Sequence, residues 1–88
     1  MEEKFLFALE TKRQEAEKLG VRIRPILDMK QAHRALQRGS DGFSQLEKLG
    51  RLELSLEALA VNKAYTALFT DEEANDALLR LLEAGYFL

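Results

Sequence analysis

The sequence predicts an all-α fold, a small bundle of three to four helices. Residues 70–73 (Thr-Asp-Glu-Glu) match the capping box, in which the threonine oxygen accepts the N3 amide and the glutamate returns to the cap. Residues 44–47 (Ser-Gln-Leu-Glu) match the same pattern, and apolar residues recur at helical spacing behind both boxes. The predicted helices span residues 3–19, 25–38, 44–68 and 71–84.

Composition favours a folded chain. Hydrophobic residues make up 47% and charged residues 32% of the 88 residues, which is typical of a globular protein and not of a disordered one. We expect a single domain over residues 1–88. The chain has no cysteine, so neither a disulfide nor a thiolate metal site can stabilise so small a fold, and oligomerisation remains as the usual alternative.

The first predicted helix, residues 3–19, opens with Glu2 and Glu3 and ends with Lys18 before Gly20. Acids at the start and a cation at the end complement the helix dipole, and a glycine at this place is the usual helix stop. Both ends of this helix are therefore predicted by local chemistry.

The second predicted helix, residues 25–38, begins at Pro25, because a proline at the first helical position loses no hydrogen bond. Residues 21–24 before it alternate and read as an extended linker or a very short strand. Gly39 ends the helix. One face of it carries Ile26, Met29, His33 and Leu36.

The third predicted helix, residues 44–68, carries two opposed apolar stripes, whereas a bundle helix normally has one. Either this helix breaks near Gly50 or Asn62 and folds back, or a second chain covers the excess. Residues 51–56 also alternate like a strand, so a short strand remains an alternative there. The candidate interface with a second chain consists of Leu54, Val61, Tyr65, Phe69, Tyr86 and Phe87.

No pattern for catalysis or metal binding is present. His33 is the one histidine, and its acidic neighbour Asp28 lies five residues back on a different helix face. We therefore expect His33 to serve core or interface packing. No metal-ligand spacing is found, so we expect no enzyme, no catalytic or metal-binding residues and no cofactor.

Charge is unevenly distributed along the chain. Residues 12–38 hold eight bases and three acids (+5), whereas residues 39–88 hold four bases and nine acids (−5). Clustered cations are what a phosphate backbone requires, although a pI of about 5.4 is low for a nucleic-acid binder. The candidate anion-binding residues are Arg22, Arg24, Lys30, Arg34 and Arg38.

These features predict a small helical domain for protein–protein interaction or self-association, with a homodimer or another protein as partner. The alternative is binding of a nucleic acid or another polyanion through residues 12–38. The start of the sequence lacks a signal-peptide pattern and no apolar stretch reaches the roughly 18–20 residues of a membrane span, so we expect a cytoplasmic location and no membrane partner. The biological process is not indicated by any pattern.

Overall fold

The computed structural model describes residues 1–87, which form five α-helices and two short 3-10 helices and contain no strand. The all-helical prediction is confirmed, with five α-helices in place of three to four because the predicted third helix is divided. The 3-10 helices span Leu52–Leu54 and Thr66–Leu68. The α-helices are α1 Glu2–Lys18, α2 Met29–Arg38, α3 Phe43–Leu49, α4 Leu56–Ala60 and α5 Asp71–Glu83.

The helix α1 agrees with its prediction at both ends, with two glutamates in its first turn and Lys18 in its last. After it, residues 21–27 run as extended chain without pairing as a strand. The strand alternative for residues 51–56 is wrong as well, because they form a 3-10 turn and the start of α4.

The start of α2 differs from the prediction. Pro25 lies in the extended segment, and α2 begins at Met29 with Asp28 as its cap, whose carboxylate accepts the amide of Gln31 at 2.8 Å. The Gln31 side chain in turn accepts the amide of Leu27 at 2.9 Å. Asp-x-x-Gln is a capping signal in its own right, and it prevails over the proline because it satisfies two otherwise free amides.

The predicted third helix breaks at Gly50, one of the two positions named for it. Gly50 takes a left-handed conformation (φ +68°), and its amide and that of Arg51 return to the carbonyls of Glu47 and Leu46. This is the Schellman arrangement that ends a helix. The expected Ser44 cap is wrong: α3 starts one residue earlier behind Gly42, and no side chain caps it.

The chain breaks a second time at Asn62, the other named position. The Asn62 side chain accepts the amide of Ala64 at 2.9 Å, and the Asn62 backbone carbonyl accepts the amides of Tyr65 and Thr66. An asparagine side chain offers the backbone such a bond in competition with helix continuation. The capping box of α5 at Thr70 is present as predicted.

The core consists of two apolar clusters. One joins α1, α2, α4 and α5, and the other joins the end of α1, residue 21, α3 and the Leu52–Leu54 turn to α5. Val61 packs against both clusters and so connects them. The first contains Phe5, Leu9, Ala32, Ala35, Leu36, Leu56, Leu59, Ala60, Phe69 and Ala77. The second contains Ala16, Val21, Leu46, Leu52, Leu54 and Leu81.

Four of the six candidate interface residues lie within this core. Leu54 and Phe69 are buried, and Val61 and Tyr65 are half-buried against the clusters. The Tyr65 ring also meets the Phe5 ring edge-on at 5.4 Å. Leu54 and Phe69 therefore leave little surface for a second chain, because the chain folds back at Gly50 and Asn62 and buries them.

Candidate functional site

A cavity of about 300 Å³ lies between α1, α2 and the extended segment 21–28, with the Leu52–Leu54 turn and the start of α4 also lining it. Its apolar lining consists of Leu9, Ile23, Pro25, Ile26, Ala35, Leu54 and Leu56. Its polar lining consists of Glu10, Arg13, Arg24, Gln31, Arg34, Arg38, Ser40 and Asp41. Four arginines against two carboxylates leave a formal charge of +2, so the cavity combines apolar walls with a cationic border.

Two of the four arginines are held by the two carboxylates. The Arg24 guanidinium binds both oxygens of Asp41, at 2.9 and 3.2 Å, and lowers the pKa of that carboxyl below its usual range. The Arg13 guanidinium binds Glu10 at 2.7 Å and likewise lowers the pKa of Glu10. Both acids are therefore ionised at neutral pH and partly neutralise their own arginines.

The other two arginines are less engaged. Arg38 approaches Asp41 only at 4.0 Å, while that carboxylate is already bound by Arg24. Arg34 forms no ion pair with any residue from 1 to 87. Both side chains come from one face of α2, a single helical turn apart. The net positive charge of the cavity is therefore concentrated at Arg34 and Arg38.

The five candidate anion-binding residues separate in space. Arg24, Arg34 and Arg38 line the cavity together. Arg22 faces a shallower neighbouring depression, and Lys30 is exposed on α2 and lines neither. Sequence reasoning missed Arg13, although the spacing of Glu10, Arg13 and Glu17 at i,i+3 and i,i+4 is the local signal for such a pair. Arg13 belongs to the cavity because of the fold and not because of sequence proximity.

A second surface feature is the outer face of α5. Leu78, Leu79 and Leu82 share this face, and Tyr86 and Phe87 follow the helix directly, all five between 36% and 54% exposed. The rings of Tyr86 and Phe87 meet edge-on at 4.9 Å. The acids Glu72, Asp76 and Glu83 follow its flank at helical spacing. We call these five side chains and the acidic row the α5 face.

His33 of α2 contacts an acidic side chain of another helix, Glu73 of α5. Its Nδ1 is 2.8 and 2.9 Å from the two carboxylate oxygens of Glu73 on α5, and its ring meets Phe69 edge-on at 5.1 Å. Burial raises the pKa of Glu73, but the amide of Thr70, His33 and Gln37 more than offset it, and the net pKa is lowered. The pair connects α2 to the first turn of α5.

A buried carboxylate joins α4, α5 and the C-terminal end of α2. Glu57 of α4 is fully buried and accepts the amide and hydroxyl of Ser40 and the Arg80 guanidinium, the last at 3.1 Å. Arg80 also donates to the carbonyls of Leu36 and Gln37, the free acceptors at the end of α2. Sequence reasoning missed this network, because Glu57 looks like an ordinary helix residue.

In the part of the chain that the structure describes, no group of three or more histidine or acidic side chains is placed to hold a metal ion. No helix within residues 1–87 is both long and apolar enough to cross a membrane. No protein-family model, curated protein or solved structure matches the chain.

Proposed function

We propose that this chain works by protein–protein contact through the α5 face, and that its partner is a second copy of itself. The observation that supports this is the group of exposed leucines on the outer face of α5, with Tyr86 and Phe87 exposed just after the helix. Soluble monomers rarely leave a large apolar patch with a charged border unless it contacts another molecule. The contact surface is thus assigned to α5, and no longer to the residues of segment 44–68 that the core buries.

The charge of the two halves favours a head-to-tail contact. The α5 face carries the acidic row Glu72, Asp76 and Glu83, so two copies placed with like faces together would bring acids near acids. Residues 12–38 carry a charge of +5 and expose the apolar side chains of Leu19 and Leu27. The acidic face of one copy therefore complements the basic half of another in both charge and apolar surface.

The expected affinity follows from the exposed area. Burying the exposed halves of five large apolar side chains contributes on the order of 5 kcal/mol. Loss of translational and rotational freedom opposes association by a similar or larger amount, so the charges must add to the contact. We expect a concentration-dependent association and not an obligate dimer.

Sedimentation equilibrium between about 10 µM and 1 mM tests the proposal. The apparent mass should rise above 10.0 kDa with concentration, and salt should weaken the association because charges contribute to it. Leu79→Asp should abolish the rise. Leu49→Asp on α3, at an equally exposed position, is the matched control and should leave it intact. A constant 10.0 kDa mass over the whole range would contradict self-association.

A further inference from the structure

We propose that the cavity between α1, α2 and segment 21–28 binds a small amphipathic anion, one carboxylate or phosphate group on an apolar chain of limited length. The anionic group would lie between Arg34 and Arg38, and the apolar chain against Ile23, Ile26 and Leu54. This inference does not rest on the self-association proposed above, because no residue of the α5 face lines the cavity. The cavity arginines do belong to the basic half that a second copy would contact, so the ligand and a second copy should compete for them.

The cavity is formed before any ligand arrives. Segment 21–28 is its outer wall, and Asp41 fixes that wall by accepting both the amide (3.2 Å) and the guanidinium of Arg24. Arg13 reaches the carbonyl of Ile23 from α1 at 3.5 Å. Gly42 lies so close to Val21 that the wall packs directly on the turn behind α2. A preformed wall avoids the entropy of ordering a loop on binding.

The charge distribution favours an anionic ligand, and it favours a position beside Arg34 and Arg38. Arg24 and Arg13 are neutralised by Asp41 and Glu10, whereas Arg34 has no acidic partner among residues 1–87 and Arg38 only a distant one. Arginines are suited to carboxylate and phosphate oxygens because their planar donors match two oxygens at once. The apolar side of the cavity excludes a fully hydrated anion and requires an apolar group next to the charge.

The size limits the ligand. The cavity is partly open to solvent, and its volume of about 300 Å³ is that of roughly ten water molecules in the liquid. It can therefore hold a ligand of about ten non-hydrogen atoms, such as octanoate. A nucleic-acid chain would not enter. Small-molecule sites of this kind are typically concave and apolar with a few convergent polar groups, which is the arrangement found here.

Titration of the ¹⁵N-labelled chain followed by amide chemical shifts provides the test, with octanoate, octyl phosphate, acetate, inorganic phosphate and octanol as separate ligands. We expect saturable, submillimolar binding of octanoate or octyl phosphate with shifts centred on residues 23–26 and 34–41. The preferred one of these two identifies the head group. Acetate, inorganic phosphate and octanol should each bind at least about tenfold more weakly, because each lacks one half of the recognition.

Two variants locate the anionic group. Arg34→Gln should weaken binding of the preferred ligand by about tenfold or more, since a charged hydrogen-bond donor to the head group is lost. Lys30→Gln removes the same charge from the same helix outside the cavity and should leave binding within about twofold. Octanol binding as tightly as the anions, equal losses in both variants, or shifts centred away from the cavity would overturn the proposal.

Discussion

Hydroxyl side chains cap two helices of this chain, Thr70 at α5 and Ser55 at α4. The Thr70 oxygen accepts the amide of Glu73 at 3.1 Å. No carbonyl of the helix can accept that amide, because it lies in the first turn. We expect Thr70→Ala to lower the free energy of unfolding by about 1 kcal/mol, measured by urea denaturation.

Ser44→Ala is the matched control for this prediction. Ser44 lies exposed inside α3 and caps nothing, so its hydroxyl can be removed within about 0.5 kcal/mol. A loss at Ser44 equal to that at Thr70 would mean that α3 begins at Ser44 after all, with the capping box that the sequence suggested.

The lowered pKa of Glu73 makes part of the stability depend on pH. The folded chain holds this proton less tightly than the unfolded chain, whose value is near 4.5. The contribution is therefore complete above that pH and is lost as the pH falls through the folded pKa. We expect Glu73→Gln, which keeps the shape and removes the charge, to be less stable than the parent chain at pH 7.

This difference in stability should shrink steadily below about pH 4.5 and vanish at lower pH, where Glu73 is itself protonated. Thermal unfolding of both chains across that range measures it, and the other acids cancel because both chains contain them. A difference that stayed constant with pH would show that the carboxylate charge does not contribute.

At the scale of elements, the turn between α2 and α3 depends on Gly42. It has φ +76°, and a Cβ there would lie 2.6 Å from Cγ1 of the buried Val21. We expect Gly42→Ala to destabilise the chain by roughly 2–4 kcal/mol, from backbone strain plus displacement of Val21.

Gly20→Ala separates these two causes. Gly20 has a similar φ of +87° but open space where its Cβ would stand. Gly20→Ala should lower the free energy of unfolding only by the backbone strain of about 1–2 kcal/mol. Urea denaturation of both variants measures the two losses, and the difference between them is the effect of the clash with Val21. Equal losses would indicate that segment 21–28 moves away freely, which would also weaken the case for a preformed cavity.

Elements whose ends are set by local chemistry were predicted well. Both ends of α1 and the start of α5 follow from side chains within one turn, and the structure confirms them. At α2 the sequence contains two competing start signals, Pro25 and Asp28. The helix starts at Asp28 because this start gives the amides of Leu27 and Gln31 a hydrogen-bond acceptor. The length of the third helix could not be predicted, because two apolar stripes fit either contact with a second chain or a chain that folds back on itself. Packing within the chain decides for the second.

The candidate site was predictable only in part. Arg34 and Arg38 share a helix face through their spacing, and the nearby Arg24 joins them. Arg13 comes from another helix, and Asp41 neutralises Arg24 across 17 positions of sequence. Pairs of residues this far apart in sequence, such as His33 and Glu73, meet only because of how the helices pack. A single sequence does not show that packing.

At the scale of the whole molecule, the charge distribution disfavours the binding of long polyanions. The chain measures 28 × 25 × 21 Å, which is only a few Debye lengths of about 8 Å. The negative charge of the acidic half is therefore only partly screened from an anion at the basic half. Arg24 is also neutralised within the chain. We expect no binding of a labelled 20-mer nucleic acid tighter than about 10⁻⁴ M at physiological salt.

A fluorescence titration at two salt concentrations checks this expectation with single- and double-stranded 20-mers. Micromolar affinity that falls steeply with salt, with a log–log slope of about −0.7 to −0.9 per phosphate neutralised, would favour the nucleic-acid alternative instead. Arg22→Gln and Lys30→Gln would then each flatten the slope by about one unit.

The buried contact between Glu57 and Arg80 has a consequence for the history of the sequence. Losing Arg80 alone leaves a carboxylate in the interior without its counter-charge, a defect of about 3–5 kcal/mol, which is a large share of the stability of so small a chain. Replacing both residues together by apolar ones removes the charge defect, but the amide and hydroxyl of Ser40 and the carbonyls that end α2 then lose their partners. Divergent descendants of this chain should therefore retain both residues, since a lineage that changed either one would pass through a barely folded intermediate.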